Sequence, residues 1–338
     1  MKKKMTKISW AILGAARVNE RLIPAIIKSK QAKLVAIGSR RQNAAEECIK
    51  KYAPECIQEI EFHSGFDSIL SNKEIDVIYI PLSNEEHTET ALKAIRNKKH
   101  VLVEKPMAIK SKEVQLLIDE AKENNVKIME GFMYAFHPQF DRIQNIIQSN
   151  ILGEVNYAHS MFSFPIKPAR HYRINRTIEN GGGALWDIGP YAIHTIRSCF
   201  KENPIRVYGQ SKLNEHGADI STTGMIDFGL NKKATFDISF ECIRRSEFEV
   251  YGPNGRLKCP LVWQPDNLPA KIIYSTEKSG LKEETVPTAN HFDLEIEHFN
   301  SAIIQDKKLK LSGTDAIWNS KTLEAIQKSI LTNEWVTL

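Results

Sequence analysis

From Lys7 to Glu130, short runs of β-branched and aliphatic residues alternate with segments of helical periodicity. Strands joined through helices run parallel, because a tight hairpin only returns a strand in the opposite direction. The rhythm therefore predicts a βαβ sheet covered by helices. Strands are expected at 7–13, 34–37, 76–80, 100–103 and 127–130. Helices are expected at 19–28, where Leu22, Ile23, Ile26 and Ile27 share a face, and at 43–52, 85–97 and 111–124, the last capped by Ser111. After Gly131 the texture changes. Strand-like runs at 157–164, 205–211, 223–228, 234–240 and 247–251 are separated by turn residues such as Pro253, Asn254 and Gly255. Ser312 and Asp315 form a capping pair that opens a last helix, to about Leu331. The expected fold is an α/β Rossmann domain over 1–130, followed by an α+β domain over 131–338 with a large, mostly antiparallel open-faced sheet. The C-terminal helix is expected to pack back on the first domain.

Composition narrows the function classes. The 338 residues are 42% apolar, enough for two cores. Lys and Arg outnumber Asp and Glu by 46 to 41, and the excess is spread along the chain, so no basic stripe for nucleic acid forms. The cysteines, Cys48, Cys56, Cys199, Cys242 and Cys259, are odd in number and contain no C-x-x-C pair, which predicts neither a disulfide framework nor a metal site. A reducing cytoplasm is the expected location. Lys2, Lys3, Lys4 and Lys7 before the apolar run 8–16 imitate a signal peptide. A first strand entering a phosphate loop is the preferred reading, since the run stops at Arg17. No stretch is long enough to span a membrane.

Gly14-Ala15-Ala16-Arg17-Val18-Asn19 stands where a dinucleotide fingerprint would read G-x-G-x-x-G. Only the first glycine is present, yet Gly14 permits the turn, and small Ala15 and Ala16 let backbone N–H groups approach a pyrophosphate at a helix N-terminus. The second strand ends in Gly38-Ser39-Arg40-Arg41, with no acid for a ribose 2′-hydroxyl. A hydroxyl and two guanidiniums suit a 2′-phosphate, so NADP(H) is the expected cofactor, with NAD(H) as the alternative. Glu104-Lys105-Pro106 ends another parallel strand, where open α/β sheets hold their ligands. Lys105 there can hydrogen-bond a substrate oxygen and stabilise negative charge on it. Gly181-Gly182-Gly183 permits close backbone approach to a ligand, and Asp187 and Tyr191, four residues apart, face the same way if they share a helical turn. Tyr191 can relay a proton, Asp187 can orient the substrate or tune Lys105, and His194 is a spare candidate.

In this order the segments 10–17, 80–84 with His87, 100–106, 152–155 and 181–191 resemble the Gfo/Idh/MocA family across nearly the whole chain. The resemblance implies that Lys105 is the central active-site residue, that the segment around Pro81, Leu82, Ser83, Asn84 and His87 together with Glu104 and Lys105 lines the dinucleotide, and that the open sheet forms a homodimer or homotetramer. The family places His or Tyr four residues after the Asp. Tyr191 here is similar to the dihydrodiol and xylose dehydrogenase branch and to some sugar-nucleotide ketoreductases. The segments 129–134, 137–139 and 164–168 resemble reductases of the C3 keto group of dTDP-linked deoxysugars. That likeness implies Lys105 on the keto oxygen, Tyr191 as proton donor, and His137, Tyr172 and Arg173 as substrate contacts. A free-sugar or trans-dihydrodiol dehydrogenase uses the same groups, and a cofactor-binding regulator without catalysis is a third possibility. A nucleotide diphosphate calls for basic and aromatic residues along the sheet, whereas a small sugar calls for a closed cup.

Overall fold

The computed structural model describes residues 7–265 and 268–338. Lys2, Lys3 and Lys4 of the leader-like pattern lie outside the described residues, and Ile8–Leu13 is a strand. The chain divides into two compact units. The first comprises the chain up to Ala108, Lys112–Met133 and His291–Ile317, and the second comprises Ile109–Ser111, Tyr134–Asn290 and Trp318–Leu338.

The first unit holds a six-stranded parallel sheet built from β1 (Ile8–Leu13), β2 (Ala32–Ser39), β3 (Glu61–Ser64), β4 (Val77–Ile80), β5 (His100–Glu104) and β6 (Ile128–Gly131). Its order is β3-β2-β1-β4-β5-β6. The order reverses between β1 and β4, which opens a crevice at the carboxyl ends of the strands. The helices between strands are α1 (Asn19–Lys28), α2 (Ala44–Tyr52), α3 (Asp67–Ser71), α4 (His87–Arg96) and α5 (Ser111–Glu123). Alternation along the strands sorts the side chains to two faces. Ala11, Leu13, Ile78, Ile80, Val101 and Val103 pack with Ala91, Ile95, Val114 and Leu117. Trp10 is fully buried, edge-on to Phe299 at 5.7 Å, and its indole N–H donates to Asn300 Oδ1 at 2.9 Å.

The second unit holds a nine-stranded sheet of β7 (Tyr157–Ser163), β8 (Arg206–Leu213), β9 (Asp219–Gly229), β10 (Lys232–Ser239), β11 (Arg245–Gly252), β12 (Gly255–Cys259), β13 (Ala270–Thr276), β14 (Gly280–Val286) and β15 (Val336–Thr337). Its order is β14-β13-β12-β11-β7-β10-β9-β8-β15. The β7–β10 pair is parallel and the other ladders are antiparallel. Helix α6 (Pro138–Gln148) packs near β13, and α7 (Ala184–Asp187) and α8 (Gly189–Phe200) cover β7, β9 and β10. The opposite face carries polar side chains, such as Lys258 paired with Glu247 and Glu249. Two later helices, α9 (His291–Ile304) and α10 (Gly313–Thr332), complete the chain, and Asp315 N donates to Ser312 Oγ at 3.1 Å as the capping pair requires. No helix among the described residues is long and apolar enough to cross a membrane.

Candidate active site

In the first unit the expected cofactor residues follow the carboxyl ends of β1, β2, β4 and β5, on both sides of the crevice. Gly14 has φ +130°, and a Cβ there would meet Leu82 Cδ2 at 3.0 Å, so the turn requires glycine. Val18 supplies no capping side chain to α1, so a phosphate can complement the positive helix end. These features fit a bound dinucleotide. Asn19 replaces the last fingerprint glycine, is fully buried, and donates from Nδ2 to the Gly14 carbonyl at 2.9 Å. The turn is thus held by a side chain where a glycine would leave it to packing alone.

The arginines at the end of β2 are both engaged. Arg41 donates from Nη2 to the Ala15 carbonyl at 2.6 Å, and Ser39 Oγ accepts from Arg41 N. Arg40 pairs with Glu86 at 2.5 Å and lies over the Phe66 ring at 5.4 Å. The end of β2 carries no acid of its own, as the sequence shows, but Glu86 reaches Arg40 from the short turn Asn84–Glu86 after β4. Partial burial pushes the Glu86 carboxyl up, but hydrogen bonds from Ser83 and Arg40 outweigh it and hold it below the usual carboxylate range.

Pro81, Leu82, Ser83 and Asn84 follow β4 directly. His87, expected against the cofactor, has no exposed surface. Its Nδ1 lies 2.8 Å from the Pro106 carbonyl and its Nε2 lies 3.1 Å from the Leu82 carbonyl, so it braces the loop after β4 to the loop after β5. Burial lowers its pKa, and the Lys105 charge adds to that. Lys105 is half-buried at the end of β5, and its peptide bond to Pro106 is cis. Beside it, Glu104 Oε1 accepts from the Tyr79 hydroxyl at 2.7 Å.

In the second unit, Asp187 and Tyr191 do not share a helix. Asp187 ends α7 and Tyr191 lies in α8, with Gly189 and Pro190 starting the new helix. Asp187 is buried and held between Arg173 and Arg170, the latter at 3.4 Å. Burial, and then the neighbouring Arg173, pull the Arg170 guanidinium down to about 10, and its charge also reaches Tyr191. Tyr191 packs among Phe162 at 5.7 Å, Tyr134 at 5.9 Å and Trp263 at 6.5 Å.

The glycine triplet serves the chain's own packing, which corrects the expectation of ligand approach. A Cβ on Gly182 would meet the Arg176 carbonyl at 2.1 Å, and one on Gly183, at φ +93°, would meet Asp219 Oδ1 at 1.9 Å. Asp219 Oδ2 accepts from Leu185 N at 2.8 Å and from Thr222 Oγ1 at 2.7 Å, and burial pushes its carboxyl up to about 6. His194 is a core partner whose Nδ1 meets the Tyr134 hydroxyl. His137 is also buried, and its Nδ1 accepts from Gln139 N to cap α6. Tyr172 is exposed, next to Arg173 on the turn Pro168–Arg173. The reading of the sequence missed Arg170, Glu86, Asn19 and Asp219. Two of them carry a local signal: an Arg-x-x-Arg spacing puts Arg170 and Arg173 on one side of a 3₁₀ turn, and Asn19 stands at the last position of the fingerprint.

Residues 8–132 match the family described as "Oxidoreductase family, NAD-binding Rossmann fold", and residues 140–258 match "GFO/IDH/MocA C-terminal domain". The oxidoreductase ORF334 of Rhizobium meliloti is 30% identical over 99% of this chain and 100% of its own length. The dTDP-3,4-didehydro-2,6-dideoxy-alpha-D-glucose 3-reductase of Actinomadura kijaniata is 24% identical over 95% of each chain. The structure of KijD10, a 3-ketoreductase from Actinomadura kijaniata in complex with NADP and TDP-benzene, has the same fold, with a TM-score of 0.88 at 23% identity over 96% of this chain and 98% of that one.

Proposed function

This chain belongs to the Gfo/Idh/MocA family of oxidoreductases, and we propose that it is an NADP(H)-dependent ketoreductase acting on a nucleotide-linked deoxysugar. The observation that carries this reading is a basic and aromatic segment beside Asp187. Arg170 lies over Phe164 at 4.8 Å and Arg173 over Tyr172 at 5.5 Å, and Lys167 and Arg176 flank them. A nucleoside diphosphate presents phosphates and a base, which guanidiniums and aromatic rings bind; a free sugar presents neither. The dTDP-sugar 3-reductase among the relatives supports the same substrate class.

When bound, the nicotinamide ring supplies or accepts the hydride. Gly14, Ala15, Ala16, Arg17 and Val18 hold the pyrophosphate, and Ser39 and Arg40 meet the adenosine ribose. The Lys105 ammonium binds the keto oxygen and stabilises the negative charge that develops there. Tyr191 gives its phenolic proton to that oxygen, and solvent restores it. The Arg170 guanidinium favours the phenolate left behind. Asp187 positions Arg170 and Arg173, while Tyr172 and Arg173 meet the nucleotide. The reading carries with it a cytoplasmic location and a homodimer or homotetramer formed through the open sheet face, the latter tested by light scattering.

The test is a substrate panel with purified protein, followed at the nicotinamide absorbance band. Turnover of a dTDP-linked keto-sugar with NADPH, and none with free aldoses or trans-dihydrodiols, is the expected result. Oxidation of xylose or glucose alone would make the chain a free-sugar dehydrogenase. No turnover across the panel would leave a cofactor-binding regulator.

A further inference from the structure

Strand β2 ends without an acid of its own, yet an acid is delivered to that position from another element. Glu86 Oε1 lies 2.5 Å from Arg40 Nη2, and Glu86 Oε2 accepts from Ser83 Oγ at 2.6 Å. Both carboxylate oxygens are used, so the acid is fixed in place and only about a quarter of its side chain is exposed (27%). Arg40 is itself positioned from two sides, by Glu86 and by the Phe66 ring.

We propose that Arg40 and Glu86 form a paired reader of the cofactor's adenosine ribose, in which Arg40 takes a 2′-phosphate and Glu86 takes a free 2′-hydroxyl. Glu86 is then the residue that keeps the chain open to NAD(H). This rests on the reading that Arg40 meets the 2′-phosphate. The chemistry of the two groups supports the division. A carboxylate only accepts hydrogen bonds, so it can bind a ribose hydroxyl but repels a phosphate dianion. A guanidinium carries five N–H donors, and an end-on contact through Nη2 leaves others for phosphate oxygens. The pair thus supplies from two strand ends what a single acid supplies when it stands at the end of the second strand.

The inference is tested by calorimetric titration of the purified protein, without turnover, using NADP+, NAD+, 2′,5′-ADP and 5′-AMP as probes. Glu86→Gln is expected to tighten NADP+ and 2′,5′-ADP by about fivefold and to weaken NAD+ by a similar factor, the scale of one half-exposed charge. Glu86→Asp, which keeps the charge but retreats by one methylene, falls between, and it serves as the test if the glutamine variant does not fold. Arg40→Ala is expected to weaken NADP+ alone. Equal losses for NADP+ and NAD+ in Arg40→Ala sink the reading of the 2′-phosphate site and the inference with it. A selective Arg40→Ala with a Glu86→Gln that weakens NADP+, or that moves neither cofactor, overturns the inference alone and leaves Glu86 as a prop for Arg40.

Discussion

The two units secure their candidate chemistry by different means. In the first, the phosphate turn and the loops after β4 and β5 are held by side chains that grip backbone. Asn19 holds the Gly14 carbonyl, Arg41 holds the Ala15 carbonyl, and His87 spans the Leu82 and Pro106 carbonyls. In the second, side chains grip each other. Asp187 sits between two arginines, and Tyr134, His194, Thr195 and Trp263 form a hydrogen-bonded core beside Tyr191. The contrast is sharpest at the glycines. Gly14 and Gly183 both have positive φ, but the space beside Gly14 ends at a leucine methyl whereas the space beside Gly183 is filled by the chain's own carboxylate. A glycine in a sequence announces clearance without saying what occupies it.

The largest expected effect falls on the amine. Lys105→Met should lower turnover by about a thousandfold, near 4 kcal/mol of transition-state stabilisation, while NADP+ affinity stays within about twofold. A steady-state assay with a parallel binding titration checks this, and turnover close to wild type would remove Lys105 from the chemistry.

Next comes the pair of glycines. Gly183→Ala forces a Cβ onto Asp219 and should cost about 3 kcal/mol or more of folding stability, read from denaturant midpoints. Gly14→Ala is strained by its φ of +130° but meets only the end of a leucine side chain, so it should cost less stability than Gly183→Ala and add a loss of cofactor affinity. If both variants lose stability alike, the contrast between the two turns collapses.

A pH series sharpens the same comparison. The Asp219 carboxyl is raised from 3.8 to about 6 by burial, so the folded chain binds a proton more readily than the unfolded one between those values. Its contribution to stability is full below the unfolded value and is lost as pH rises through about 6, by no more than about 3 kcal/mol. The melting temperature of wild type, relative to Asp219→Asn, should therefore rise between about pH 7 and pH 5. A difference that does not change over that range would show that this acid titrates normally. The smallest effect expected is Asn19→Ala, which removes one buried hydrogen bond to the phosphate turn and should cost about 1 kcal/mol, mostly as weaker cofactor binding.

What was legible in the sequence follows the same division. The turn after β1, the span of α1 and the strand ends at Ile80 and Glu104 could be read because local periodicity and turn chemistry determine them. Strand β3 could not, since Glu61–Ser64 is a mostly exposed edge with no apolar alternation. Strand β14 fails for the same reason, its side chains being mostly exposed. The four-residue spacing of Asp187 and Tyr191 is compatible with one helical turn, but the break at Gly189 and Pro190 puts them on two helices. The partners of Asp187 and Arg40 lie 14 to 46 residues away in the chain, where no local pattern connects them. Long-range ion pairs of this kind become visible only when the elements are packed.

The parallel pairing of β7 with β10 has a consequence for how this protein can change. Parallel neighbours cannot be joined by a short turn, so after β7 the chain makes an excursion over residues 164–205 and then adds β8 and β9 before β10 closes the middle of the sheet. Arg170, Tyr172, Arg173, Asp187 and Tyr191 all lie on that excursion. New loop lengths or residues can accumulate there while the strand ladders on either side keep their register, which makes the detour a natural place for relatives to diverge in what they act on.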